Sequence, residues 1–116
     1  MSEKTASSHL KLAVDGAIGA PVVRCSGRLV AGVSDFLYTE VKQLIPGSGR
    51  IVLDLTDLSQ MDSTGLGTLV RLYISAQSAG CVLELINIGK PIRHLLGITH
   101  LLDVFETIGR NNIRMG

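Results

Sequence analysis

Apolar positions first fall into register at Leu10, Leu12 and Val14, which alternate with Lys11 and Ala13. That is the two-residue period of a half-buried strand. Residues 15–21 hold two glycines and a proline and read as a turn, and residues 22–26 as the antiparallel hairpin partner. After a linker at 28–32, Leu37, Val41, Leu44 and Ile45 make the stripe of a helix over 34–45. Ser34 is its expected N-cap, Asp35 lies in its first turn, and Pro46-Gly47 stops it. Residues 51–55, Ile-Val-Leu-Asp-Leu, are almost continuously apolar, which predicts a central strand covered on both faces. Asp54 is expected to mark the polar end of that strand.

A second helix is predicted from Ser63 or Thr64 to Gly80. Leu66, Leu69, Val70, Tyr73, Ile74 and Gln77 recur at helical spacing, so the first five should face the sheet. Residues 82–86 make a further strand. Pro91 then opens a short helix carrying Ile92, Leu95 and Leu96, and a last brief strand is expected around Val104-Phe105. This order of elements is α/β, with helical crossovers setting the third and fourth strands parallel and the opening hairpin adding an antiparallel part.

Composition narrows the function. The chain has 116 residues, enough for one domain and one core. Its net charge of +1 and 3% aromatic content give no footprint for nucleic acid or anionic lipid. Its longest run free of Asp, Glu, Lys and Arg is 72–83, too short and too polar to insert in a membrane. The polar start of the chain has no signal core, so a soluble, cytoplasmic protein is expected. Cys25 and Cys81 form no Cys-x-x-Cys and read as buried thiols. His9, His94 and His100 match no metal spacing, and neither a metal nor a cofactor is expected.

The most informative stretch is Met61-Asp62-Ser63-Thr64-Gly65-Leu66-Gly67. Two hydroxyls stand where a strand-to-helix loop becomes the first turn of a helix, beside glycines that leave the backbone uncovered. Free N–H groups and the positive end of the helix dipole would accept a phosphate there. Asp, Ser and Thr are also ordinary N-cap residues, so the same cluster fits simple capping. Catalytic readings fail on spacing. A nucleophile elbow needs glycine two residues before the serine, where Met61 stands, and Gly65-Leu66-Gly67-Thr68 lacks a P-loop lysine. Paired carboxylates of the aspartic-protease kind are absent from the motif. Asp15, Asp54 and Lys90-Pro91 superficially suggest a phospho-receiver, but Lys90 follows the fourth strand and the first strand leads into a hairpin.

Over residues 10–107 the chain resembles the STAS domain of bacterial anti-sigma factor antagonists, most specifically from Ile51 to Gly67. The resemblance implies a single α/β domain with a mixed sheet of four or five strands and helices mainly on one side. Residues 1–9 and 108–116 are then flexible tails. It implies that Ser63, directly after Asp62, is phosphorylated by a serine kinase that is also the anti-sigma factor, with Thr64 a second candidate. Asp62, Ser63, Thr64, Gly65, Leu66 and Gly67 would form the partner-binding surface, and a phosphatase would restore the unmodified form. Many members carry Gly-x-Leu-Asp at the end of the second strand. Here the run is Gly27-Arg28-Leu29-Val30, which removes one carboxylate from that surface.

Two functions follow from the resemblance. One is a non-enzymatic regulator of transcription that captures an anti-sigma factor and is released by phosphorylation. The other is a STAS scaffold in a transporter or a stressosome-like complex, with no phosphate switch. An enzyme is a third and weaker fit, because no base, metal set or nucleophile–base pair accompanies the motif.

Overall fold

The structure, a computed structural model, describes residues 2–5, 9–90, 92–94 and 113–114. Its elements are β1 (Ser2–Thr5), β2 (Leu10–Ala17), β3 (Ala20–Leu29), α1 (Ser34–Leu44), β4 (Arg50–Met61), α2 (Ser63–Ser78), β5 (Val82–Ile86) and β6 (Ile113–Arg114). One six-stranded sheet runs β1-β2-β3-β4-β5-β6. β1, β2 and β3 pair antiparallel, whereas β3, β4, β5 and β6 are parallel. The sheet is therefore mixed, as expected, and β1 and β6 enter its edges from stretches set aside as tails.

The strand 51–55 is central, flanked by β3 and β5 as expected. Both crossovers, β3-α1-β4 and β4-α2-β5, step the same way across the sheet. Right-handed connections then put both helices on one face, where they pack side by side. Between helices and sheet lies one core. Leu12, Val23, Cys25, Ile51, Leu53, Leu55, Leu83 and Leu85 rise from the strands to meet Leu37, Val41, Leu69 and Leu72.

Four expectations about local structure are corrected. The turn expected over 15–21 shrinks to Ile18-Gly19, because Gly16 pairs with Pro21 and Ala17 with Ala20. Gly19 at φ +83° supplies the left-handed backbone that so tight a reversal requires. Ser34 does not cap α1. It is a buried helical residue, and its hydroxyl donates to Val30 O at 2.8 Å. A buried hydroxyl needs a partner, and the carbonyl one turn back provides it.

β4 runs on to Met61, since residues 57–61 keep pairing with β3 beyond the end of β5. Asp54 is consequently a mid-strand residue rather than a strand end. It is buried on the face away from the helices, where it accepts from Thr56 N at 3.0 Å and Asn87 Nδ2 at 3.1 Å. Arg24 Nε stands 3.7 Å away, and alongside, Arg50 Nε donates to buried Glu84 at 2.9 Å.

The fourth correction concerns the face of α2. Leu66, Leu69 and Tyr73 are buried as expected, but Val70 is only half-buried and Ile74 is 56% exposed. The core side is completed by Gly65, Thr68, Leu72 and Ala76. Small residues there let the helix lie close to the sheet, which turns Val70 and Ile74 outward. Lys90 and residues 92–94 are helical. Pro91, Leu95, Leu96, Val104 and Phe105 lie outside the described residues.

Candidate functional site

The carboxyl end of β4 and the first turn of α2 meet the end of β3 at one point. Asp62, not Ser63, is the N-cap: its backbone is extended, and its Oδ1 accepts from Gly65 N at 2.9 Å. Its Oδ2 accepts from Ala31 N, also at 2.9 Å. One side chain thus fastens the start of α2 to the β3–α1 loop. Asp62 N donates to Leu29 O at 3.3 Å, a second tie between the same segments. The N–H groups of Ala31 and then Gly65 hold the Asp62 carboxyl below its ordinary range, because they stabilise the charged form.

Gly65 closes this junction. A Cβ there would stand 2.1 Å from Leu29 O, so the third helical residue has no room for a side chain. Gly67 faces the other way, with nothing within 4 Å of a Cβ. Ser63 and Thr64 are exposed in the first turn, Asp62 is half-buried, and Gly65 and Leu66 are buried beneath them. Of the six residues expected at a partner surface, Ser63, Thr64, Gly67 and the edge of Asp62 are therefore accessible. Thr68, one turn on, is buried and donates its hydroxyl to Thr64 O at 3.1 Å, which stiffens the turn.

Val30, which the resemblance sets against an acid of that family, is half-buried against the core. Its carbonyl accepts from Val33 N and Ser34 N at 3.2 and 3.1 Å. The segment touches Asp62 through the main chain of Ala31, with no carboxylate of its own. Sequence reasoning missed Leu29 and Ala31 because both act through backbone groups that any residue could supply. Among the described residues no group of three or more His, Cys, Asp or Glu could hold a metal ion. Nor, among the described residues, is any helix long and apolar enough to cross a membrane.

A strand end, an Asp cap, an exposed Ser-Thr pair and a helical glycine packed against the neighbouring strand stand in one arrangement. The STAS domain family matches residues 11–113. This chain belongs to the STAS family. It is 28% identical over 98 residues to an anti-sigma F factor antagonist of Paenibacillus polymyxa, covering 83% of this chain and 84% of that protein. The fold is similar to that of an anti-sigma factor antagonist from Mycobacterium paratuberculosis, with a TM-score of 0.74 and 20% identity over 87% of this chain and 86% of the other. It is also similar to the Bacillus cell fate determinant SpoIIAA in its phosphorylated form, with a TM-score of 0.65 and 18% identity over 79% and 86% of the two chains.

Proposed function

We propose that this STAS domain is an anti-sigma factor antagonist that captures an anti-sigma factor with serine kinase activity and is released when Ser63 is phosphorylated. The observation that carries the reading is the exposure of Ser63 at the first position of a helix whose start Asp62 ties to the end of β3 and to the loop after it. A kinase can reach this hydroxyl without unfolding anything. A phosphate there adds about 1.5 to 2 negative charges. In a close, dry interface that dianion loses water without gaining a partner, which is costly. A loss of about 3 kcal/mol weakens binding roughly a hundredfold, since each 1.4 kcal/mol is tenfold.

The names of the relatives support the reading, as does the occurrence of a phosphorylated form in a structural neighbour. Ser63, Thr64, Gly67 and the edge of Asp62 would meet the partner, with Gly65 and Leu66 shaping that surface from beneath. The domain itself performs no chemistry in this scheme, and a phosphatase resets it. Incubating wild type, Ser63→Ala and Thr64→Ala with the cognate kinase and ATP, then mapping phosphate by mass spectrometry, tests it. Phosphate on wild type and Thr64→Ala but not on Ser63→Ala is expected. Phosphate on Thr64 moves the switch by one residue, and binding without any phosphate gives the chain to the scaffold function.

A further inference from the structure

Inward-facing residues along β4 do not keep the period of two that a regular strand imposes. Leu53 and Leu55 are buried against the helices, and then Leu58 and Met61 meet the core at intervals of three. Strict alternation from Leu55 would turn Asp57 and Ser59 toward the core. The pairing with β3 shows how this is avoided. Arg24 pairs with Asp54 and Ser26 with Asp57, so Leu55 and Thr56 together oppose Cys25. Gly27 then pairs with Leu58 and Arg28 with Gln60, which leaves Ser59 as a second extra residue. β4 thus carries two one-residue bulges in quick succession, in a parallel pairing where bulges are rare.

Each bulge is held by a side chain. Asp54 Oδ1 accepts from Thr56 N at 3.0 Å and also from the Thr56 hydroxyl. The amide of an unpaired bulge residue is thereby satisfied, where leaving it without a partner would be costly. The same oxygen accepts from Asn87 Nδ2 at 3.1 Å, and Arg24 Nε stands 3.7 Å from Oδ2. One buried carboxylate therefore gathers β3, β4 and the residue after β5. At the second bulge the exposed Ser59 donates its hydroxyl to Gly27 O at 2.9 Å.

The bulges decide where the chain leaves the sheet. Continued without them from Arg24 and Asp54, the pairing would set Leu29 opposite Ser59. Each extra residue takes up about 3.3 Å of strand, and with both in place Leu29 pairs with Met61 instead. Asp62 follows at once. There its N–H reaches Leu29 O at 3.3 Å and its carboxylate accepts from Ala31 N at 2.9 Å. One bulge fewer would displace Asp62 along β3 and turn its side chain to the other face. We infer that Asp54 and Ser59 are positioning residues for the switch: by holding the two bulges of β4 they set the Asp62 cap, and with it the Ser63 hydroxyl, in register with Leu29 and Ala31. Only the use made of Ser63 rests on the proposed function, since the register of Asp62 is a property of the fold alone.

Amide hydrogen exchange of the full chain, followed by NMR, tests this in wild type, Asp54→Ala, Asp54→Asn, Ser59→Ala, Ser59→Thr and Leu69→Ala. Asp54→Asn keeps an oxygen for Thr56 N and Ser59→Thr keeps a hydroxyl for Gly27 O, so these two form the conservative pair. Leu69→Ala weakens the core without touching either bulge. In Asp54→Ala and Ser59→Ala the amides of Ala31, Asp62 and Gly65 should exchange about tenfold faster relative to those of residues 51–53. The conservative pair should stay within about threefold of wild type, and Leu69→Ala should speed both sets together. With the cognate kinase and ATP, kcat/KM for Ser63 should fall about tenfold in the two alanine variants and recover in the conservative pair. Ser59 is exposed, so Ser59→Ala and Ser59→Thr decide the matter if Asp54→Ala does not fold. An unchanged exchange ratio in the alanine variants, the same change of ratio in Leu69→Ala, or an undiminished kcat/KM overturns the positioning role. The expected exchange pattern with no phosphate on wild type supports the register and removes the Ser63 switch instead.

Discussion

Gly65 and Leu29 touch so closely that a Cβ on the glycine would meet the leucine's carbonyl oxygen at 2.1 Å. That carbonyl also accepts from Asp62 N, so neither partner can retreat without breaking the junction between β3 and α2. Gly65→Ala should therefore destabilise the fold, by about 1 to 3 kcal/mol for an overpacked site. Gly67→Ala, two residues on in the same helix, meets nothing and should stabilise by about 0.4 to 1 kcal/mol. Denaturant melts of the two variants should move in opposite directions. Parallel losses would mean that the motif's glycines are not divided between junction and surface.

Asp62 makes a prediction about caps and about pH. Asp62→Ala should cost about 0.5 to 2 kcal/mol, whereas Ser63→Ala should cost almost nothing because Ser63 is not the cap. The N–H groups of Ala31 and Gly65 lower the Asp62 pKa from 3.8, so its folded value lies below its unfolded one. The stability it contributes is present above that unfolded value and is lost as pH falls through the folded one. The gap between wild type and Asp62→Ala should be constant from neutral pH to about pH 5, then shrink toward pH 3. A gap unchanged at pH 3 would assign the effect to something other than the carboxylate.

The helix faces can be separated by truncation. Leu69→Ala removes a fully buried side chain and should cost about 2 to 5 kcal/mol. Ile74→Ala touches an exposed residue and should stay within about 0.5 kcal/mol of wild type. Chemical melts that show equal losses would return Ile74 to the core.

That contrast shows where the sequence was legible and where it was not. Residues 51–55 and 82–86 announce themselves as strands because short apolar runs broken by a single acid admit few other placements, and both lie in the sheet. The stripe of α2 is ambiguous, since Leu66, Leu69, Val70 and Ile74 satisfy helical spacing as well as Leu66, Leu69, Leu72 and Tyr73 do. What decides between them is close approach at Gly65, Thr68 and Ala76, which hydropathy does not score. The site divides in the same way. A hydroxyl pair behind an Asp at a helix start is visible in the sequence, but its ties to Leu29 and Ala31 run through the main chain and leave no mark on residue identity.

The thiols offer a check on the core. Burial, reinforced by the negative charge of Asp54, pushes the Cys25 pKa up to about 12, and burial also raises that of Cys81. The thiolate is the reactive form, so neither cysteine should react with an aromatic disulfide reagent at pH 8 in the folded state. Both should react once denaturant unfolds the chain. Rapid reaction of one thiol in native buffer would place that residue outside the core.

Phosphate at Ser63 should act on binding without acting on the fold. Ser63 is the first residue of α2, where the helix dipole favours negative charge by about 0.3 to 1 kcal/mol. The neighbouring Asp62 carboxylate already occupies the Gly65 N–H and repels a second anion, so the two effects offset each other. The phosphorylated chain should keep its circular dichroism spectrum and a melting temperature within a few degrees of the unmodified chain, about 4 to 8 °C corresponding to 1 kcal/mol at this size. Its affinity for the anti-sigma factor should fall roughly a hundredfold. Ser63→Asp should fall less, because it brings one charge and fewer acceptor oxygens than phosphate. Calorimetric titration and thermal melting on the same samples separate the two quantities. A large drop in melting temperature on phosphorylation, matched by an equal loss in Ser63→Asp, would show a switch that works by loosening the start of α2 instead of by charge at the interface.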